Sequence, residues 1–261
     1  MKTTSILLAA VAATALSARP GTAGEIYVTS VDFAWKMSKY TTSGATVNSS
    51  LITTLNNPRD IAVSGGNLFV ANAGNGTIGE YTTSGATVNA SLITGLGNPT
   101  GIVEFGGNLF VTIPGSPGNG TIGEYTTSGA TVNASLITGL NSPSGIVVSG
   151  GNLFVTNAGN GTIGEYTISG ATVNAALVSG LNKPIGIAVF GGNLFVANQF
   201  NNTIGEYTTA GATVNAALIS SGFFSPYGVA VVPEPSTFAL GILGGLSLIA
   251  FGRRLGRRRS P

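Results

Sequence analysis

The sequence predicts an all-β protein: a five-bladed β-propeller of four-stranded blades, the last blade closed by N- and C-terminal strands, between a helical signal peptide and a C-terminal single-span helix. Three observations carry this expectation. Residues 24–232 repeat with a period of about 41 residues. Each copy holds four short Val/Ile/Thr/Phe-rich runs punctuated by Gly and Asn, as strands and their turns would be. The first copy also lacks one run, which reappears alone after the last copy.

The first run of each copy follows a proline: Pro58-Arg-Asp-Ile-Ala-Val63, Pro99-Thr-Gly-Ile-Val103, Pro143-Ser-Gly-Ile-Val-Val148, Pro184-Ile-Gly-Ile-Ala-Val189 and Pro226-Tyr-Gly-Val-Ala-Val231, spaced by 41, 44, 41 and 42 residues. The second is Asn-Leu-Phe-Val after Gly-Gly at 65, 106, 150 and 191, with Ile26-Tyr27-Val28 as its degenerate first version. A Gly/Asn turn leads to the third, Thr-Ile-Gly-Glu-Tyr. The fourth lies in a phrase that is identical in residues 82–94 and 126–138. Gly-Gly, Asn-Gly and Ser-Gly supply the positive φ that tight hairpins need. Apolar residues fall on both faces of these strands, so a blade cannot fold alone and must be sandwiched between neighbours.

Ring closure follows from the ends of the repeat region. The first copy lacks its Pro-x-Gly strand, and Pro226 to Val231 would supply it, making four whole blades and one composite. A β-solenoid is the alternative architecture, but it would need polar caps rather than a split repeat. A six-bladed propeller would need a further blade that the sequence does not contain.

Composition narrows the chemistry. The chain has no Cys and no His, which excludes disulfides, thiolate nucleophiles, Ser-His-Asp triads and imidazole metal sites. No catalytic residue, cofactor or metal is assigned from the sequence. The net charge of +2 is dominated by the C-terminal arginines; between Gly24 and Val232 four bases face eight acids, which argues against nucleic acid as a partner.

Both termini read as address labels. Residues 1–23 combine Lys2, an apolar stretch from Ile6 to Leu16 and small residues before Ala23, the pattern of a signal peptide cut after Ala23 by signal peptidase. In 233–261, Pro233-Glu234-Pro235 precedes a mostly apolar run, Phe238 to Gly252, and then Arg253, Arg254, Arg257, Arg258 and Arg259. Fifteen residues are short for a bilayer that takes about 20, so the arginines would snorkel to the cytoplasmic side. Motif, apolar span and basic stop together closely resemble the PEP-CTERM sorting signal of Gram-negative bacteria. That resemblance implies membrane tethering through the C-terminal helix, processing near Pro-Glu-Pro by an exosortase-type protease, and delivery to the cell surface or an exopolysaccharide matrix.

The phrase Asn-Leu-Phe-Val-Ala-Asn-Ala-Gly-Asn-Gly-Thr-Ile-Gly-Glu-Tyr resembles NHL-type propeller repeats. That family carries an Asp after the second strand, where this chain has Asn72, Asn157 and Asn198, or a Thr at 112. Glu80, Glu124, Glu165 and Glu206, with Lys39 in the first copy, would form an incomplete circle of carboxylates, read as solvated surface more than as a cation site. Tyr40, Tyr81, Tyr125, Tyr166 and Tyr207 read as inter-blade packing. Trp35 could line a ligand surface or repair the degenerate blade, and the insertion around Ile113-Pro-Gly-Ser-Pro117 is the place to look for specificity. The expected function is an exported, non-catalytic binding or structural module whose ligand is a polysaccharide or a protein. The alternative is a metal-dependent, lactonase-like hydrolase, for which only Asp32, Asp60 and Glu104 break the repeat pattern.

Overall fold

The computed structural model describes residues 25–30, 35–42, 44–222 and 225–229, and these form a five-bladed β-propeller. The first sheet holds β1 (Glu25–Thr29), β2 (Met37–Thr41) and β3 (Thr46–Ile52). The second holds β4 (Pro58–Ser64), β5 (Asn67–Asn72), β6 (Thr77–Thr82) and β7 (Thr87–Ile93). The third holds β8 (Ile102–Phe105), β9 (Asn108–Ile113), β10 (Gly120–Thr126) and β11 (Thr131–Leu140). The fourth holds β12 (Pro143–Ser149), β13 (Asn152–Asn157), β14 (Thr162–Thr167) and β15 (Thr172–Val178). The fifth holds β16 (Pro184–Phe190), β17 (Asn193–Asn198), β18 (Thr203–Thr208) and β19 (Thr213–Ile219). Every sheet is an antiparallel meander in chain order. β4, β8, β12 and β16 neighbour one another in succession and so line the axis, while β3, β7, β11, β15 and β19 form the exposed rim.

The core lies between blades, as the two-faced strands require. Leu68 and Val70 of β5 face back to Met37 and Ile52 of the first blade, while Phe69 and Ala71 face forward to Leu109 and Val111 of the third. This period-two division is repeated at the next two junctions, through Phe110 against Leu153 and Phe154 against Leu194. The rim strands, with no neighbour beyond them, carry bulges against the third strands, which interrupts the flat edge that another chain could pair with.

Two glycine positions are dictated by close approach. Gly129, at φ +89°, sits under the rim of the preceding blade, where a Cβ would lie 2.7 Å from the Leu92 carbonyl oxygen. Gly123 and Gly164 leave room for the ring of the tyrosine two residues on, which folds back over them; a Cβ at Gly164 would lie 2.6 Å from the Tyr166 hydroxyl. That ring is what plugs the inter-blade core, Tyr81, Tyr125, Tyr166 and Tyr207 all being buried. Tyr40 is only half-buried, because Ser38 stands where the other blades have this glycine. Gly164→Ala is therefore expected to destabilise the propeller by about 1–3 kcal/mol through overpacking, read as a lowered denaturation midpoint. An unchanged midpoint would mean the ring has room to move.

The register also corrects one alignment. Asn72 pairs with Thr77 and Ile113 with Thr121, so the counterpart of Asn72 in the third blade is Ile113, and Thr112 corresponds to Ala71. The expected closing strand, Pro226 to Val231, is described as far as Val229 and carries no strand ladder there. It is nonetheless seated at the axis beside β16: a Cβ on Gly186 would meet the Tyr227 carbonyl oxygen at 2.6 Å. Residues 1–23 and 233–261, with Ala23, the Pro-Glu-Pro motif and the five arginines, lie outside the described residues. Among the described residues no helix is long and apolar enough to cross a membrane.

Candidate functional site

In strands, reading down the columns of the repeat isolates one position occupied by a different residue in every copy: the residue after the proline, Arg59, Thr100, Ser144, Ile185 and Tyr227. The position after it is glycine in four copies and Asp60 in the other. Because these prolines start the axial segments, the five divergent residues all arrive at one end of the central channel. There they line a cavity of about 40 Å³. At roughly 10–15 Å³ per water on this measure, that is room for about three waters. The remaining lining is largely backbone of the axial glycines and their neighbours.

Polar side chains staple the junctions of this inner ring. Asp60 joins β4 to β8, accepting the Ile102 N–H at 2.9 Å on one oxygen and its own neighbour Ile61 N–H at 2.9 Å on the other. Thr112, fully buried, accepts the Gly101 N–H at 2.7 Å and donates to the Ser144 carbonyl at 2.6 Å. Thr156 does the same one blade on, accepting from Gly145 at 2.8 Å and donating to Ile185 at 2.7 Å. The seam between chain ends is closed by Arg59, whose Nη1 donates to the Tyr227 hydroxyl at 2.8 Å with the guanidinium 5.7 Å from the ring centre. The Ser225 N–H donates to Asn202 at 2.7 Å and fixes the closing segment to the last blade. Arg59 Nε, also buried, has no partner.

Electrostatics single out the same place. Burial pushes the Asp60 carboxyl up to about 6, against the opposing pull of the Ile102 and Ile61 N–H groups. The four equivalent glutamates are different: Glu80, Glu124, Glu165 and Glu206 lie on the third strands, away from the axis, and each accepts a hydrogen bond from the asparagine of its own blade, Asn67, Asn108, Asn152 or Asn193, at 2.6 or 2.7 Å. They do not converge. In the first blade the pair is charge-reversed: Lys39 meets Glu25 at 2.6 Å, and that contact holds the Glu25 carboxyl below its usual range.

Of the irregular acids, Asp60 is the one among the described residues that lines the axial cavity. Glu104 lies at the far end of β8, bonded to the Gly107 N–H of its hairpin at 2.9 Å, and Asp32 is outside the described residues. Among the described residues no group of three or more acids could hold a metal ion. Asn72, Asn157 and Asn198 are buried, and the inserted loop closes on itself through Asn119 and Ser116 at 2.9 Å. That loop shares the axial-mouth end of the blades, since Asn72 and Asn157, at its counterparts' start, pair with Pro58 and Pro143. The convergence of Arg59, Thr100, Ser144, Ile185 and Tyr227 is absent from the sequence reading; the column of five different residues beside an invariant proline is the mark that shows it.

No family model matches the chain, and no curated protein matches it. Among solved structures, one titled as a nidogen/laminin complex is similar with a TM-score of 0.65 at 20% identity, covering 79% of this chain and 80% of that one. A virginiamycin B lyase from Staphylococcus aureus is similar at 0.62 and 24% identity, covering 80% and 72%. A streptogramin B lyase is similar at 0.62 and 23%, covering 79% and 69%. At these identities the likeness is one of fold, and it is the propeller that this chain shares with all three.

Proposed function

We propose that the protein is an exported propeller that works as a non-catalytic binding module, with the axial mouth as its recognition face and residues 233–261 as the sorting tail. The observation that carries this reading is the column of five divergent residues gathered at one end of an otherwise uniform ring. A cavity-lining position that differs in all five copies, next to one that is glycine in four of them, is what a recognition site built on a repeat requires. The resemblance of the tail to PEP-CTERM signals supports an exosortase-processed route to the cell surface or extracellular matrix, with signal peptidase acting at Ala23.

A catalytic reading draws on the fold likeness to two lyases. The donor set weighs against it: a metal-dependent hydrolase needs several convergent ligands, and among the described residues Asp60, with both oxygens already accepting N–H groups, is the one carboxylate at the cavity.

The test presents the full chain to an array of glycans and matrix proteins and assays lactone hydrolysis with added divalent metal. Saturable binding without turnover is expected; metal-dependent turnover would overturn the reading. Deleting 233–261 is expected to release the propeller into the medium, and unchanged surface retention would remove the sorting proposal.

A further inference from the structure

The connections between second and third strands lie at the same end of the blades as the prolines, and so surround the axial mouth. That end gathers most of the body's positive charge. Lys36 is in the first such connection, Arg59 is at the cavity, and Lys183 immediately precedes Pro184; of the four basic residues between Gly24 and Val232, these are three. Among the described residues Asp60 is the one acid there, and in the sequence the connection that holds Lys36 also holds Asp32. Glu104 and the hairpin glycines lie at the opposite end of the blades.

Exposed aromatic rings share this face. Phe200, 66% exposed, sits in the turn after β17 with the Lys183 ammonium 4.4 Å from its ring centre. Trp35, 43% exposed, is in the connection that also holds Lys36. Two exposed rings, one with a cation over its face, around a cavity that Arg59 lines, match an anionic ligand that also offers flat C–H surfaces. A sugar chain bearing carboxylates has both.

The cavity, about 40 Å³, has room for a small polar group such as a carboxylate. Arg59 lines that space and spends Nη1 on Tyr227, while its Nε is buried without a hydrogen-bond partner. A guanidinium at a cavity wall is the side chain best suited to hold a carboxylate.

From these placements we infer that the axial mouth binds an acidic polysaccharide, one uronate carboxylate seated on Arg59 and the neighbouring sugar rings lying toward Phe200 and Trp35. This names the ligand class of the binding reading above and rests on it. The shared chemistry is a carboxylate, which a free organic acid would also offer, so the test separates the two sources.

The experiment is calorimetric titration of the full chain with oligogalacturonate, its methyl ester, galacturonate monomer and acetate, and the same titrations of Arg59→Gln and Lys183→Gln. Oligogalacturonate is expected to bind saturably and more weakly as salt rises. The methyl ester should lose at least tenfold in affinity, Arg59→Gln a similar factor and Lys183→Gln a few-fold, with circular dichroism showing both variants folded. Equal binding of the ester, an unchanged Arg59→Gln and Lys183→Gln pair, or no binding by the parent chain would overturn the inference. Acetate or monomer binding as tight as the oligomer would overturn its polysaccharide part. If array glycans bind while Arg59 is indifferent, this inference fails and the binding-module reading stands; if nothing binds, both fail.

Discussion

Replacing both Thr112 and Thr156 by valine is expected to cost the propeller more than any single rim substitution, about 2–5 kcal/mol for the pair. Valine keeps the shape and removes the hydroxyl, so packing is nearly conserved and the loss is one of hydrogen bonding. Each threonine bridges two inner strands from adjacent blades, and its removal strands the buried Gly101 N–H or the half-buried Gly145 N–H, and the Ser144 or Ile185 carbonyl. An orphaned buried group costs about 1–3 kcal/mol. The two sites act on successive junctions, so near-additivity is expected unless strain passes through β12. Equilibrium urea unfolding of the single and double variants reads this directly. A double variant within about 0.5 kcal/mol of the parent would show that the axial strands re-pair without the hydroxyls.

Asp60 is expected to make the protein less stable at neutral pH than near pH 4. Its folded carboxyl titrates at about 6 instead of its ordinary 3.8, so between those values the folded state holds more protons than the unfolded state. Stability therefore falls as pH rises through this window, by up to about 3 kcal/mol for a shift of about two units. The full contribution is present below the unfolded value and gone above the folded one. Glu25 works in the opposite sense, because its carboxyl is lowered by Lys39, but it is largely exposed and its effect is small. Unfolding free energy measured from pH 4 to pH 7.5 should decline in the parent and flatten in Asp60→Asn. A parallel decline in the variant would move the titration to another group.

The strands, their order and the number of blades were legible because each phrase carries its own turn chemistry: Gly-Gly, Asn-Gly and Ser-Gly mark three hairpins, and each proline marks a return to the axis. Packing of Tyr81 and its three counterparts was legible for the same reason, since an aromatic at a fixed place in every copy has to meet a fixed neighbour. The half-exposed Tyr40 was not, because its environment turns on Ser38 replacing a glycine two residues away. The axial site was hidden by the habit of reading along a repeat. Arg59, Thr100, Ser144, Ile185 and Tyr227 share no chemistry, so no motif flags them, and only ring closure makes them neighbours. Asp60 stood out as an irregular acid, yet its raised titration depends on burial at a junction that the linear sequence does not display. The choice of Thr at 112 and 156 but Ala at 71 and 197 has meaning only once the distance between adjacent inner strands is known.

The contrast between an identical rim and an individual axis bears on how such a protein evolves. The contact of Gly129 under Leu92 recurs between other blades, so the outer surface cannot tell one neighbour from the next, and unequal recombination could insert or delete a blade without creating a foreign interface. The Arg59–Tyr227 seam is different: it closes across 168 residues at one circumference. An inserted blade would therefore fit at the rim but would pull Tyr227 away from Arg59 at the hub and leave the ring unlatched.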